Sequence, residues 1–321
     1  MIIDRLYKEV EKKGNVCVGL DTCLDYVPIH IKEKYQNIDE ILFQFNKKVI
    51  DSTIDLVPVY KLQIAFYEAY GIKGLMAYKR TLEYIKSLDS ISIGDIKRGD
   101  ISSTAEMYAK AHFEGEFETD FITLNPYMGF DSIEPYLKYI ETEEKGIFVL
   151  LRTSNPGAKD IQYLTVNGQL TNDNGQLDTH YNLDSPDCHP DSPDCHPERS
   201  EGSPLYYHIG DKLAEIGARY MGSNGYSSIG AVVGGTHTDE AMEIRDRYKN
   251  MFFLIPGYGH QGGRGSDVAL YLNHGNGGVV NSSRGIILAY KGKENVENKF
   301  DYYIRQAVFS MKEDIENEIR L

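Results

Sequence analysis

The sequence predicts an α/β chain that closes into a parallel (β/α)8 barrel, a TIM barrel, and three observations support this fold class. Short apolar runs recur along the chain, helix-like segments separate most of them, and polar side chains follow the runs. An alternation of strands and helices implies a parallel sheet, and the active sites of such barrels lie where the strands end. An open, doubly wound sheet is the alternative architecture.

Eight short apolar runs are the expected barrel strands, because each has the length and composition of a buried strand. They occupy residues 16–21, 57–63, 91–97, 121–125, 146–153, 229–235, 252–257 and 278–283. Between most of these runs, apolar residues recur at the spacing of one helix face. The expected helices occupy residues 38–55, 74–88, 104–114, 132–141, 211–220 and 239–249. Ser132 and Asp239 are expected to be N-caps.

Composition limits the size, partners and compartment of the protein. With 321 residues, 41% of them hydrophobic, the chain is expected to form a single domain over residues 1–321. A net charge of −14 disfavours nonspecific binding to nucleic acid. No apolar run approaches the roughly 18 residues of a membrane span, and residues 1–13 lack the apolar core of a secretory signal. Four cysteines in no disulfide-like pattern favour a reducing, cytoplasmic location.

One segment, at approximately residues 166–204, breaks the alternation and is expected to be a low-complexity insert after the fifth strand. It contains a tandem repeat, Asp-Ser-Pro-Asp-Cys-His-Pro, at residues 184–190 and again at 191–197. The segment is rich in proline, aspartate and serine, so it has little apolar surface to bury and is predicted to be a mobile surface excursion. Its adjacent Cys-His pairs lack the usual zinc-ligand spacing, which favours an inert insertion over a metal site.

A lysine between two carboxylates ends the third expected strand, where Asp95, Lys97 and Asp100 form the pattern Asp-x-Lys-x-x-Asp. Alternate residues of a strand share a face, so Asp95 and Lys97 are expected to point the same way. If the barrel closes, Lys61 at the end of the second strand completes an alternating charge array. Such an array keeps a lysine protonated despite burial, which suits a general acid. The alternative for a lone Lys–Asp pair is a structural salt bridge.

A glycine-rich loop follows the seventh expected strand and carries Gly257, Gly259 and Gly262 at the spacing of a dinucleotide fingerprint. The acidic residue that this fingerprint requires is absent between residues 268 and 293. The loop can still bring backbone N–H groups close to an anion, at the place where barrels of this type bind phosphate. Arg284, after the eighth strand, supplies a guanidinium that matches phosphate geometry.

Two further polar residues follow expected strands. Asp21, after the first strand, is a candidate acceptor for ribose hydroxyl groups or, alternatively, a helix N-cap. Ser154, after the fifth strand, offers a hydroxyl group to a polar heterocycle, with a purely structural role as the alternative.

These motifs resemble those of the orotidine 5′-phosphate decarboxylase family, and most closely its longer-chain bacterial branch. The signature is Asp-Ile-Lys-Arg-Gly-Asp-Ile at residues 95–101. The supporting segments appear in the family's order, at residues 19–21, 60–61, 123–129, 152–156, 255–263 and 281–284. The Asp-x-Lys-x-x-Asp pattern alone is shared with sugar-phosphate decarboxylases and aldol-type synthases of the same superfamily.

The resemblance implies a (β/α)8 barrel that acts as a homodimer. It implies conversion of orotidine 5′-monophosphate (OMP) to UMP, the last step of de novo UMP synthesis, without a metal or an organic cofactor. In this reading Lys97 donates a proton to C6, Asp95 lies near the departing carboxylate, and Lys61 anchors the charge array. The other implied contacts are with the ribose (Asp21), the pyrimidine (Ser154 and Pro256), the phosphate (Gln261 and Arg284) and the partner subunit's active site (Asp100, Ile101 and Thr104).

Two alternative functions stay open at this point. A Mg²⁺-dependent sugar-phosphate decarboxylase or lyase of the same superfamily would use the same Asp-x-Lys-x-x-Asp pattern, but Lys61 and the matching phosphate segment disfavour it. A non-catalytic barrel could instead bind a metal or a partner through the Cys-His repeat. The complete set of charged residues at the strand ends disfavours that function.

Overall fold

The computed structural model describes residues 1–142, 144–166, 202–259 and 262–319. The strands in these ranges are β1 (Val16–Gly19), β2 (Val59–Gln63), β3 (Ile91–Arg98), β4 (Phe121–Leu124), β5 (Gly146–Arg152), β6 (Thr165–Val166), β7 (Ser203–Pro204), β8 (Ser227–Val233), β9 (Met251–Pro256) and β10 (Gly278–Ser282). All except β6 and β7 are parallel and close into one barrel. Because β1 pairs with both β2 and β10, the alternative of an open sheet is wrong.

The expected strands all lie on strands of the barrel, so the predicted fold class is confirmed. Their ends differ by a few residues: β1 ends at Gly19 rather than at residue 21, and β3 continues to Arg98. The parallel register places Gln63, the last residue of β2, opposite Asp95 on β3. The polar ends of neighbouring strands therefore meet at the same end of the barrel.

Helices separate the barrel strands along the chain. They are α1 (Ile2–Lys13), α2 (Ile29–Lys34), α3 (Ile38–Asp51), α4 (Ile64–Glu68), α5 (Gly71–Ser87), α6 (Ser102–Phe113), α7 (Glu134–Thr142), α8 (Leu205–Gly217), α9 (Thr238–Arg247), α10 (Gly265–Ala269), α11 (Arg284–Ile287) and α12 (Val296–Ile319). The six expected helices are confirmed as α3 and α5–α9, whereas α1 and α12 lie in terminal segments for which no helix was predicted. In the described part of the chain, no helix has the length and apolarity needed to cross a membrane.

Both expected N-caps are wrong. The N-cap of α9 is His237, and Asp239 lies inside the first turn, where its negative charge is favourable near the positive end of the helix dipole. Ser132 ends a short 3-10 helix, Phe130–Ser132, before α7 begins. Its hydroxyl donates to the carbonyl oxygen of Gly129 at 2.5 Å, so it stabilises the preceding turn.

Apolar side chains fill the barrel interior and the layer between the strands and the helices. The interior cluster includes Val59, Ile91 and Phe121, which begin their strands, together with Ile3 and Leu6 of α1. The first helix therefore packs against the amino ends of the strands. Access to the barrel is left at the opposite end, where the strands terminate in polar residues.

The expected insert follows the fifth barrel strand, as predicted. The short strands β6 and β7 pair in antiparallel fashion, with Val166 opposite Ser203, so the chain leaves and returns at neighbouring positions. The tandem repeat at residues 184–190 and 191–197 lies outside the described residues.

Candidate active site

A cavity of about 900 Å³ opens at the carboxyl ends of the barrel strands. Most of the predicted site residues line it: Asp21, Lys61, Asp95, Lys97, Ser154, Pro256 and Arg284. They lie within or shortly after six different strands, so only closure of the barrel brings them together. Gln261, predicted to contact phosphate, lies outside the described residues.

Asp95 is the centre of the predicted charge array. Its Oδ1 lies 2.5 Å from Nζ of Lys97, and its Oδ2 lies 3.0 Å from Nζ of Lys61. The Lys61 ammonium also contacts Oδ1 of Asp21 at 3.2 Å. Gln63 donates a further hydrogen bond to Oδ2 of Asp95 at 3.0 Å. The charges therefore alternate along a continuous chain from Asp21 to Lys97, so Asp95 and Lys97 are not a lone pair.

Burial differs sharply along this array. The side chains of Lys61 and Asp95 are only 4% and 8% exposed, whereas that of Lys97 is 41% exposed. We expected burial of Lys97, and the structure instead leaves its ammonium open to the cavity. Lys61 and Asp95 form the fixed part of the array, and Lys97 is the member that can reach a bound molecule.

The buried charges stabilise one another. Burial alone would raise the pKa of Asp95, but the ammonium groups of Lys61 and Lys97 outweigh it and hold the pKa of this carboxyl well below its usual range. Burial alone would lower the pKa of Lys61, but Asp21 and Asp95 outweigh it and raise that pKa. Both groups are therefore charged at neutral pH. Nearby, burial raises the pKa of the Cys17 thiol to about 12, so this cysteine is no thiolate nucleophile.

Asp21 links the charge array to the segment that carries Arg284. Its Oδ2 accepts a hydrogen bond from Oγ of Ser283 at 2.7 Å, and Ser283 directly precedes Arg284, the first residue of α11. A Cβ atom at Gly19 would lie 1.9 Å from Oγ of Ser283, so only glycine permits this close approach. The alternative of Asp21 as a helix N-cap is wrong, because Cys23 occupies that position.

The loop that carries Ser154 is held by buried polar contacts. The Arg152 side chain is fully buried, and its Nε donates to Oε2 of Glu240 at 3.0 Å. Gln162 accepts from the backbone N–H of Thr153 at 3.0 Å and donates to the Thr153 hydroxyl at 2.8 Å. Ser154 therefore lies on a supported loop facing the cavity.

The glycine-rich loop adopts backbone conformations that only glycine reaches readily. Gly257, Gly259 and Gly262 have φ values of 112°, 74° and 95°. Both ends of this loop are attached to Asp314 of α12, whose Oδ2 accepts from Oη of Tyr258 at 2.8 Å and from the backbone N–H of the first residue of α10 at 2.7 Å. The C-terminal helix thus holds the expected phosphate loop.

Asp100, Ile101 and Thr104 are not among the residues that line the cavity of their own barrel. Ile101 and Thr104 are exposed, and Oδ1 of Asp100 accepts from the backbone N–H of Ile101 at 2.9 Å. Within one chain, the structure brings Lys61, Asp95 and Lys97 together and leaves Asp100 outside.

Thr123 and Ser283 contact the charge array, and sequence reasoning assigned no role to either. Thr123 was detectable as the one hydroxyl residue within the apolar strand β4, which neighbours the Asp-x-Lys pattern. For Ser283 no local signal exists, because its partner Asp21 is 262 residues away.

The position of the cavity and its fixed charges define the class of protein. Enzymes with this fold act at the carboxyl ends of their strands, and an ammonium held charged there is suited to stabilising negative charge that develops on a substrate. The chain is an enzyme of the (β/α)8-barrel class.

Comparison with known proteins identifies the family. The family model described as "Orotidine 5′-phosphate decarboxylase / HUMPS family" matches residues 14–177. A protein from Petrotoga mobilis named orotidine 5′-phosphate decarboxylase is 67% identical over 318 residues, covering 99% of each chain. A protein of the same name from Clostridium acetobutylicum is 55% identical over 315 residues, covering 98% of this chain and 99% of its own. The chain belongs to the orotidine 5′-phosphate decarboxylase / HUMPS family.

A solved structure agrees with this assignment. The OMP decarboxylase of Leishmania donovani superimposes with a TM-score of 0.71 at 25% sequence identity, covering 100% of this chain and 99% of that one. The shared fold therefore extends over the whole barrel, including the part beyond residue 177 that the family model does not match.

Proposed function

We propose that this enzyme converts OMP to UMP and CO₂. The observation that carries the proposal is the array of Lys61, Asp95 and Lys97, which presents one accessible ammonium group at the mouth of the barrel. The relatives that share the whole length of the chain bear the name of this activity. Arg284 lines the same cavity, as binding of a nucleotide phosphate requires.

Lys97 is the proposed proton donor. When the bond between C6 and the carboxylate breaks, CO₂ leaves and the electron pair remains on C6, where resonance delocalises it poorly. The ammonium of Lys97 stabilises this developing negative charge and then transfers a proton to C6, which completes UMP. Because the Lys97 side chain is 41% exposed, the neutral amine can recover a proton from solvent.

The fixed part of the array serves the transition state. Asp95 lies near the departing carboxylate and keeps the Lys97 ammonium aimed at C6, while Lys61 compensates the buried charge of Asp95. Preorganised charges of this kind need no rearrangement as the reaction proceeds, so they favour the transition state over the ground state.

The remaining site residues hold the nucleotide. Asp21 binds ribose hydroxyl groups, Ser154 and Pro256 contact the pyrimidine, and Arg284 together with Gln261 binds the phosphate. Because the phosphate is remote from C6, its binding energy can order the glycine-rich loop and organise the site. The reaction needs no metal and no organic cofactor.

The active unit is a homodimer in which Asp100, Ile101 and Thr104 enter the partner's site. Their absence from the lining of their own cavity supports this arrangement. The exposed apolar side chains of Ile101 and Met107 lie at the start of α6 and within it, on the helix that carries Thr104, and exposed apolar surface is typical of interfaces. The free cysteines Cys17 and Cys23 agree with a cytoplasmic location.

The test is turnover of OMP by the purified full-length protein in the presence of EDTA. We expect the absorbance of OMP to fall and UMP to accumulate in equal amount. Absence of turnover would refute the proposed function. Turnover that appears only after Mg²⁺ is restored would favour the metal-dependent sugar-phosphate type of chemistry instead.

A further inference from the structure

The hydroxyl group of Thr123 contacts the catalytic strand at three points. Its Oγ1 accepts hydrogen bonds from the backbone N–H groups of Ile96 at 3.0 Å and Lys97 at 2.9 Å. It also donates to Oδ1 of Asp95 at 2.9 Å. A hydroxyl has one donor and two acceptor positions, so all hydrogen-bonding positions of this fully buried group are occupied.

These contacts coincide with an interruption in the pairing of β3 with β4. Gly94 lies opposite Ile122, and the next paired residue of β3 is Arg98, opposite Leu124. Residues 95–97 of β3 therefore face a single residue of β4, Thr123, which makes this segment a β-bulge. In a regular strand the N–H groups of consecutive residues point to opposite sides, whereas at this bulge those of Ile96 and Lys97 both donate to the Thr123 hydroxyl.

The bulge also has an unusual backbone conformation at its catalytic residue. Lys97 has a φ of 45°, in the left-handed region that residues with a side chain rarely adopt. Such a conformation persists only where neighbouring contacts hold it. One of these contacts is the hydrogen bond from the Lys97 N–H to Thr123. The same Oδ1 of Asp95 receives both the Thr123 hydroxyl and the Lys97 ammonium.

We propose that Thr123 is a positioning residue for the decarboxylation, because its hydroxyl fixes the β3 bulge and thereby the direction of the Lys97 ammonium. This inference rests on the proposed function, in which Lys97 protonates C6. Thr123 does not itself react: it holds the backbone of the proton donor and the carboxylate beside it with one oxygen atom. Apolar packing alone would not require a hydroxyl at this position of β4.

The test compares Thr123→Val, which keeps the shape and removes the hydroxyl, with Thr123→Ser, which keeps the hydroxyl. We expect kcat for OMP to fall about 10- to 100-fold in Thr123→Val, because small misalignments of a reacting group have effects of that size. KM should stay within about threefold, because the nucleotide contacts are unchanged. Thr123→Ser should recover most of the lost kcat. Calorimetric titration with UMP gives the fraction of folded sites in each variant.

Three outcomes would overturn the proposal. They are an unchanged kcat in Thr123→Val, an equal loss in Thr123→Ser, and a loss that the reduced number of UMP-binding sites accounts for entirely. If Thr123→Val does not fold, Thr123→Cys replaces it, because a thiol of similar size to the serine hydroxyl is a much weaker hydrogen-bonding group. Equal kcat values in Thr123→Cys and Thr123→Ser would then overturn it. Failure of the wild-type protein to convert OMP would refute the proposed function itself, independently of these variants.

Discussion

Asp95 lies between two ammonium groups, and its position gives the two lysines different roles. The buried ammonium of Lys61 contacts Oδ2 of Asp95, whereas the ammonium of Lys97 contacts Oδ1 from the cavity. A carboxylate with the lowered pKa of Asp95 stays ionised throughout the neutral range, so it never competes with Lys97 as a proton donor. At the residue scale, the proposed reaction therefore depends on one ammonium group.

Replacing Lys97 with alanine should abolish turnover while leaving the fold intact. We expect kcat to fall at least about 10³-fold, because the variant loses both the proton donor and the charge that stabilises the carbanion. Loss of a partly exposed lysine removes little packing, so the thermal unfolding midpoint should change by only a few degrees. Steady-state kinetics and thermal unfolding measure the two effects.

The matched control is Lys110→Ala, which removes an exposed lysine of α6 that does not line the cavity. It should leave kcat unchanged. A Lys97→Ala enzyme that turns over OMP at a rate close to that of the wild type would contradict the assigned role of Lys97.

The glycine-rich loop and α12 act together at the scale of secondary-structure elements. The loop itself has few side chains with which to pack, and its glycines give the unbound backbone wide freedom. Asp314 of α12 limits this freedom by accepting hydrogen bonds from Tyr258, within the loop, and from Gly265, shortly after it. A helix for which no function is evident in the sequence therefore supports the expected phosphate site.

Asp314→Ala should weaken nucleotide binding more than it slows the chemical step. We expect KM for OMP to rise about tenfold with a smaller change in kcat, because the loop must then be ordered at the expense of binding energy. Asp301→Ala, at an exposed position on the same helix, is the control and should leave KM unchanged. Unaltered KM in Asp314→Ala would show that the loop is ordered without α12.

At the scale of the whole molecule, one acidic residue of the Asp-x-Lys-x-x-Asp pattern is not among the residues that line the cavity of its own barrel. Asp100 ends the Asp-x-Lys-x-x-Asp pattern, but among the described residues it neither lines the cavity of its own barrel nor forms a hydrogen bond or ion pair with Lys97. Symmetric dimers can exchange such residues across their interface. The proposed assembly places Asp100 of each subunit beside the array of the other.

Mixed dimers test this exchange. Lys97→Ala and Asp100→Ala homodimers should both be nearly inactive. In a mixed dimer, one site combines intact Lys97 with an intact Asp100 from the other chain. Random reassortment of equal amounts should therefore restore about a quarter of the wild-type activity per site. Activity that stays at the level of the separate variants would show that Asp100 acts within its own barrel, and size-exclusion chromatography verifies that the dimers form.

The fold class and seven of the residues that line the cavity could be predicted from the sequence alone. Strand and helix periodicities are local, and parallel strands place the residues that follow them at one end of the barrel, so Lys61, Asp95 and Arg284 could be placed together without coordinates. The signature around Lys97 is local as well.

Features that depend on strand register and barrel closure are evident only in the three-dimensional structure. Ser283 meets Asp21 only because β10 pairs with β1, and Thr123 reaches Asp95 only because the register of β4 on β3 slips at the bulge. The difference in exposure between buried Asp95 and accessible Lys97 likewise follows from that bulge. In a regular strand, alternation would place both side chains on the same face. Some of these contacts join residues that are distant in the sequence, and others depend on a departure from regular strand geometry. The local spacing of residues encodes neither.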